Sequence, residues 1–492
     1  MRTYPDIDHV RAYARSGLYR TMPVMTELLA DMFTPISVLR RLQRVSDHCY
    51  VLESAEDAER WGRYSFLGFD PKAELSVTDG VVRLVEDGKV TEERTDDPAA
   101  YVRRMIDAHA APRIRGMPSF TGGLVGYFSY DYIRYAEPKL KLCGKGAHFR
   151  DLDLMLFDKV IAFDNLRHKL LLIVTVDLTG DPDEEYAEAV EGLKALVKLV
   201  RDGREAADRP LVLRSDFSPR CTPERYYEMV ERAKAYIREG DIFQAVLANR
   251  MEADAEGSLL DVYRLLRCTN PSPYMFYFSG SDIELAGASP ETLVKLEDGV
   301  LHTFPLAGTR RRGRDDDEDK RLERELLSDE KELAEHNMLV DLGRNDLGRI
   351  SETGSVHVEK YMEIERFSHV MHIGSTIAGR LRGDKDYMDA IASVLPAGTL
   401  SGAPKFRACE IIDELEGISR GVYGGAVGYI DFRGNLDVCI AIRMAYAKAG
   451  KVYVCSGAGI VADSVPENEY AECINKAKAV TNAVAEAAGG VE

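Results

Sequence analysis

The longest largely apolar stretch in this chain of 492 residues is Leu170–Val176. A helix that crosses a bilayer needs about 20 such residues, so no membrane span is expected. With hydrophobic residues at 45% of the total, the apolar material must be dispersed over many short elements that close around an internal core. The length allows two to four domains or one large fold with substructure. Residues 1–6 (Met-Arg-Thr-Tyr-Pro-Asp) open no apolar run of signal-peptide length. Eight cysteines with no Cys-x-x-Cys pair argue against a disulfide scaffold and a zinc ribbon. The expectation is a cytoplasmic protein, and an enzyme. The 64 basic and 82 acidic side chains leave a net charge of −18. That disfavours general nucleic-acid binding and still permits a local basic pocket.

Local patterning divides the chain. Residues 1–33 read as an amphipathic N-terminal extension. Thr34-Pro35 is an N-cap and first-turn pair that predicts a helix over 36–44. A strand is predicted at 49–54, a hairpin over 81–90 turning at Asp87-Gly88, and a helix over 99–109. Residues 160–163 and 169–176 read as two strands paired across 164–168. A charged amphipathic helix follows over 181–199. Residues 201–221 are polar and aperiodic, and mark the main boundary, a linker between portions 34–200 and 222–492. Thr222-Pro223 caps the next helix, to about residue 239. The acidic cluster 315–319 reads as a solvated helix start.

Two Glu-x-x-Glu pairs carry the most chemistry. Glu332 and Glu335 lie in DEKELAEHNMLVDL, and Glu469 and Glu472 in PENEYAECINKAKAV. Spacing of i, i+3 places both members of a pair on one helix face, where like charges repel. A lysine or arginine would offset that repulsion, and so would a hard cation such as Mg²⁺, which accepts carboxylate oxygens and keeps waters for a substrate to displace. His336, His369 and His372 are each a potential acid or base near neutral pH or a hydrogen-bonded structural residue. On a strand, 369 and 372 face opposite sides. Glycine-bearing loops at 305–309, 395–405, 424–425 and 455–459 let backbone N–H groups approach an anion. None matches a phosphate loop or dinucleotide fingerprint. Arg443, in CIAIRMAY, which reads as an apolar strand, needs an anionic partner if buried: a ligand carboxylate or an internal salt bridge. No glutaminase-type Cys-His-Glu pattern is visible, so any ammonia used here must come from elsewhere.

An ordered series of segments then resembles the anthranilate synthase large-subunit (component I) family of chorismate-utilising enzymes: DIFQAVLANR, NPSPYMFYF, GASPE, PLAGTRRRG, ELAEHNMLVDLGRND, VMHIGS, LPAGTLSGAPK, GAVGYID and CSGAGIVADSVPENEYAE. The likeness runs from about Thr34 to Val480 and is densest after Asp241. It implies an α/β (α+β) sandwich of large, mostly antiparallel sheets with outer helices, in which 34–200 form a tryptophan-binding regulatory portion and 222–492 a chorismate-binding catalytic portion.

The resemblance also implies site residues. Glu335 and Glu472 match the Mg²⁺ ligands, with Glu332 and Glu469 as companions. Gly308, Thr309, Thr399, Tyr423, Arg443 and the backbone of Gly457, Ala458 and Gly459 match contacts to chorismate. His372, not His369, matches the catalytic histidine, Thr399 is grouped with the catalytic residues, and Glu291 matches the acid that helps the 4-hydroxyl leave. Leu52, Glu53, Ser54, Pro273, Tyr274 and Met275, with Tyr429 and Cys439, match the pocket of a tryptophan inhibitor, with Glu53 expected to receive its ammonium group.

The implied reaction joins chorismate and ammonia, through aminodeoxyisochorismate, to give anthranilate and pyruvate. A glutamine amidotransferase subunit is the implied ammonia source, making the assembly a hetero-oligomer. Aminodeoxychorismate synthases carry a lysine where this chain has Ala307, and isochorismate or salicylate synthases carry one at Gln244. With neither lysine, no enzyme amine is expected at the ring, and free ammonia is the expected nucleophile. The alternatives are aminodeoxychorismate synthase component I and a non-catalytic tryptophan-binding sensor. Residues 1–33 match no motif, and Arg311 stands where the family usually has proline.

Overall fold

Two large sheets built from strands scattered along the whole chain form the centre of the molecule. The computed structural model describes residues 1–55, 62–142, 144, 149–366 and 370–490. Among them, one sheet has 13 strands and the other 12. The first runs Thr21–Leu29, Lys169–Asp177, Lys159–Asp164, Tyr64–Phe69, Cys49–Glu53, Tyr274–Ser279, Glu284–Ser289, Met444–Lys448, Lys451–Ile460, Gln244–Glu256, Val212–Leu213. The second runs Leu306–Arg311, Val370–Arg380, Val300–Thr303, Thr292–Glu297, Leu436–Ile440, Ala426–Asp431, Gly123–Phe128, Leu152–Phe157, Ala73–Thr78, Val81–Glu86, Lys89–Arg94. The pairings along both paths are antiparallel. This is the expected sandwich. Both sheets take strands from each side of the 201–221 boundary, so the two portions named from sequence are interleaved in space.

The strand Tyr274–Ser279 shows why these sequences read as unbroken apolar runs. Phe276 and Phe278 join the core shared by both sheets, whereas Met275 and Tyr277 join the core on the opposite face of the first sheet. Alternate side chains thus meet two different apolar layers, and neither face is left for water. The outer layer comes from helices Pro35–Leu42, Pro182–Asp202, Leu260–Thr269 and Pro466–Gly489, which contribute Leu39, Leu193, Val262 and Val480 among others. A fully buried Leu or Val adds about 1.5–3 kcal/mol, so these faces hold the helices in place.

Local expectations hold where short-range chemistry decides. Thr34 caps the helix Pro35–Leu42 through a reciprocal bond with Ser37. The hairpin turns at Asp87-Gly88, both at positive φ. Residues 1–33 supply the helix Ile7–Ser16 and the strand Thr21–Leu29, which pairs with Lys169–Asp177. Within 201–221, Val212–Leu213 and Ser218–Pro219 both pair with Gln244–Glu256. One expectation changes: CIAIRMAY is not a continuous strand. The chain leaves one strand at Ile440, turns through Arg443 at φ 52°, and enters the other sheet at Met444.

Candidate active site

A cavity of about 670 Å³ is lined by residues from both sheets and from two helices. The helix Glu330–Gly348 is started by Asp329, whose side chain accepts from the N–H groups of Lys331 and Glu332. The helix Pro466–Gly489 starts with proline in its first turn. These helices bring Glu335, Glu469 and Glu472 to one cavity that Glu291, Thr309, His372, Thr399, Tyr423, Arg443, Gly457 and Gly459 also line. Three expected residues stand back from it. Gly308 presents its carbonyl to the imidazole of His372, Ala458 is buried in a neighbouring core, and Glu332 is held by Arg310 at 3.4 Å. His369 lies outside the described residues.

His372 is oriented by its backbone neighbour. Its Nδ1 lies 2.9 Å from the Gly308 carbonyl and 3.1 Å from the Thr309 hydroxyl. A carbonyl only accepts, so Nδ1 carries the proton and the lone pair falls on Nε2. Burial lowers the imidazole pKa below its usual value, against the Gly308 bond that raises it. The ring is therefore a neutral base at neutral pH. Glu291 is displaced the other way: burial raises its carboxyl to about 7, although the Thr399 hydroxyl donates to it at 3.2 Å. One carboxyl able to carry a proton and one imidazole able to accept one is the pairing that acid–base chemistry near neutrality requires.

Arg443 decides what the cavity attracts. Its guanidinium is partly buried, which lowers its pKa, and no carboxylate among the described residues forms an ion pair with it. The internal salt bridge that the sequence left open is absent among those residues. A non-glycine residue at positive φ costs about 1–3 kcal/mol, strain that persists where surrounding structure imposes it. Both features leave a cationic fork prepared for an anion from outside. Beside it, the phenol of Tyr423 lies 3.2 Å from where a Cβ on Gly457 would sit, and the Leu247 carbonyl 2.8 Å from that point. Only glycine fits there.

Sequence reasoning missed two lysines, Lys331 and Lys476, that line the cavity from positions other than those of Ala307 and Gln244. Lys476 bonds Glu472 at 2.6 Å and donates to the Gly457 carbonyl at 3.3 Å. The i, i+4 spacing from Glu472 was the available signal. No group of three or more acidic, His or Cys side chains among the described residues converges tightly enough to define a metal centre. The donor chemistry nevertheless fits Mg²⁺. Burial raises the carboxyls of Glu335 and Glu469, and the charge of Glu472 adds to each. A hard cation would relieve that crowding with oxygen ligands alone. Glu332, whose charge also raises Glu335, lies outside the cavity lining and is paired with Arg310 at 3.4 Å; Glu472 lines the cavity with Lys476 as its counter-charge.

A second cavity, of about 540 Å³, brings together all eight residues expected around an inhibitor: Leu52, Glu53, Ser54, Pro273, Tyr274, Met275, Tyr429 and Cys439. The Glu53 carboxylate, expected to receive an ammonium group, already has partners within the protein. It is 7% exposed, paired with Arg267, and accepts from the phenol of Tyr263. In the paired strands Glu53 lies opposite Met275, whose side chain joins the outer, helix-covered core. Period-two alternation sends both side chains that way. Other acids, Glu297, Glu359 and Asp437, share the cavity with Lys295, Lys360 and the rings of Phe66, Tyr274 and Tyr429.

Comparison with known proteins gives a consistent result. Residues 47–482 match a family described as chorismate binding enzyme. A protein of Acetivibrio thermocellus named anthranilate synthase component 1 is 44% identical over 491 residues, covering 98% of this chain and 99% of the relative. One of the same name from Pseudomonas aeruginosa is 46% identical over 489 residues, 96% of this chain and 97% of the relative. The crystal structure of anthranilate synthase component I from Streptococcus pneumoniae superposes with a TM-score of 0.76 at 38% identity, over 92% of this chain and 99% of that one. The menaquinone-specific isochorismate synthase of Escherichia coli, at 19% identity and a TM-score of 0.69 over 97% and 98% of the two chains, shares the fold.

Proposed function

This chain belongs to the chorismate-binding enzyme family, and from that premise we propose that it converts chorismate and ammonia to anthranilate and pyruvate, the first step of tryptophan biosynthesis. One observation carries the reading. A single cavity holds an arginine with no carboxylate partner among the described residues, a carboxyl that burial raises to about 7, and a neutral imidazole. Chorismate is a dianion with a hydroxyl to lose and an enolpyruvyl group to eliminate, and each of these groups answers one of those needs.

Arg443 and Tyr423 bind one substrate carboxylate and orient the ring. Glu291 donates its proton to the departing 4-hydroxyl, which leaves as water while ammonia adds at C2. In the aminated intermediate, Nε2 of His372 accepts the C2 proton as the bond to the enolpyruvyl oxygen breaks; the ring becomes aromatic, and the released enolpyruvate takes up a proton from water to become pyruvate. Glu335, Glu472 and Glu469 would hold Mg²⁺. When bound, it supplies a positive clamp for the second carboxylate. Ala307 and Gln244 offer no amine at their positions, and the Lys476 ammonium is tied to Glu472. The missing lysines at positions 307 and 244 support ammonia over an enzyme amine as the nucleophile.

Ammonia is supplied by a glutamine amidotransferase subunit, a reading supported by the component 1 names of the relatives and by the lack of a glutaminase motif. The second cavity takes tryptophan as feedback inhibitor. Its aromatic walls and its charges of both signs suit a zwitterion with an indole. No helix among the described residues is long and apolar enough to cross a membrane, and we place the enzyme in the cytoplasm.

The test is anthranilate fluorescence from the purified chain with chorismate, Mg²⁺ and ammonium. Emission abolished by EDTA is the expected result. Silence despite tryptophan binding would indicate a sensor, and a non-fluorescent amine of chorismate would indicate the aminodeoxychorismate activity.

A further inference from the structure

We propose that Thr292 couples the two cavities: its hydroxyl, bonded to Tyr274 in the wall of the second cavity, positions the neighbouring Glu291 in the first. The inference rests on the tryptophan reading of the second cavity and adds the route by which an occupant there reaches the acid. The phenol of Tyr274 is a junction. It donates to Asp437 at 2.8 Å and accepts from the Thr292 hydroxyl at 3.0 Å. Thr292 is 8% exposed and directly follows Glu291. The same corner of chain is tied to the strand Leu436–Ile440 from both sides: the Ile440 N–H donates to the Glu291 carbonyl at 2.9 Å, and the Ser289 hydroxyl donates to the Ile440 carbonyl at 2.7 Å.

The strand register weakens where this bond acts. Thr292 pairs with Cys439 and Val294 with Val438, so the register slips between them. A bulge of this kind removes a ladder contact and re-aims side chains. Tyr274 thus stabilises Thr292 where the ladder itself is interrupted. The partner strand has the same reach, with Asp437 and Cys439 on the second cavity and Ile442 and Arg443 just beyond its end on the first.

A ligand that packs against the Tyr274 ring and moves its hydroxyl leaves the buried Thr292 hydroxyl without an acceptor. The Glu291 corner must then rearrange to satisfy it. Occupancy is linked to the setting of Glu291 because the ligand binds one arrangement of this bond better than the other. Thr292 acts here as a positioning residue.

The experiment measures tryptophan affinity by calorimetry, and residual turnover at saturating tryptophan relative to each variant's own uninhibited rate. Wild-type turnover should fall at least about tenfold, within the usual range of coupling. Thr292→Val keeps the shape and loses the donor. It should bind tryptophan within about threefold of wild type yet keep more than about half of its own rate at saturation. Thr292→Ser should restore inhibition. Tyr274→Phe breaks the same bond from the other end while keeping the ring, and reads the coupling if Thr292→Val fails to fold. Thr292→Val and Tyr274→Phe enzymes that bind tryptophan and are inhibited as fully as wild type would overturn the proposal. Wild type that binds no tryptophan would overturn the occupant itself and the coupling with it.

Discussion

The two cavities lie on the same pair of sheets, and their charges are treated in opposite ways. In the second, charged and polar groups find partners within the protein: Glu53 with Arg267, Lys295 with Glu297 at 3.0 Å, and Tyr274 with Asp437. In the first, Glu472 is paired with Lys476, but Arg443 has no carboxylate partner among the described residues, and Glu335 and Glu469 are raised partly by neighbouring carboxylates. A site that only binds can satisfy its own groups and select by shape and aromatic contact. A site that turns over keeps groups undercompensated, because interactions unmet in the protein are available to the substrate and to developing charge.

The sharpest way to break this contrast is Glu291→Gln. It removes the proton donor while keeping the shape, and kcat should fall about 10²–10⁴-fold, with tryptophan affinity unchanged. Next is Arg443→Ala, for which kcat/KM for chorismate should fall about 10²–10³-fold through loss of a charge-assisted contact. Arg443→Gly should be equally inactive but no less stable to heat than wild type. It removes both a partly buried charge with no carboxylate partner among the described residues and positive-φ strain. A melting temperature several degrees lower would mean that Arg443 is structural after all.

The pH profile sharpens the comparison further. His372 must be neutral, so activity is lost as pH falls through its imidazole pKa, which lies below the usual 6.5. Glu291 must be protonated, so activity per unit of free ammonia declines as pH rises through about 7. Each limb approaches a slope of tenfold per pH unit. The smallest effects belong to the second cavity. Ser54→Phe should weaken tryptophan inhibition about tenfold or more by filling space, leaving uninhibited turnover near wild type. Glu53→Gln should instead act on the fold. Leaving Arg267 without its carboxylate should cost about 1–2 kcal/mol, discounted because Arg267 is 33% exposed. A Glu53→Gln enzyme of wild-type stability that no longer binds tryptophan would return Glu53 to the ligand.

The site was legible in part, and the boundary has a physical origin. The i, i+3 spacing of Glu332 with Glu335 and of Glu469 with Glu472 is a property of one helix turn, and both pairs lie on helices as expected. Which member faces a cavity is not local: Arg310, on a separate strand, removes Glu332 from it. Lys476 was within reach of the same helical arithmetic and was overlooked. The interruption at Arg443 was not legible, because an apolar run carries no mark of the point where it passes from one sheet to the other. Glu53 lines a cavity, and the pairing of its carboxylate with Arg267 was not legible. The direction of a strand side chain follows register, and Glu53 itself is paired with Met275, more than 200 residues away.

The sequence alone determined the chemical inventory and the local elements: the carboxylate pairs, the histidine of the VMH segment, the glycine loops, the caps at Thr34 and Thr222, and the hairpin at Asp87-Gly88. These depend on neighbours within a helix turn or a hairpin, where backbone geometry leaves few choices. The tertiary structure decided which charges are satisfied and which remain for a ligand. That balance depends on burial and on partners distant in sequence, such as Thr399 against Glu291, Arg267 against Glu53, and Thr292 against Tyr274. Electrostatic strength is set by what surrounds a group rather than by the group itself, and only the folded chain supplies those surroundings.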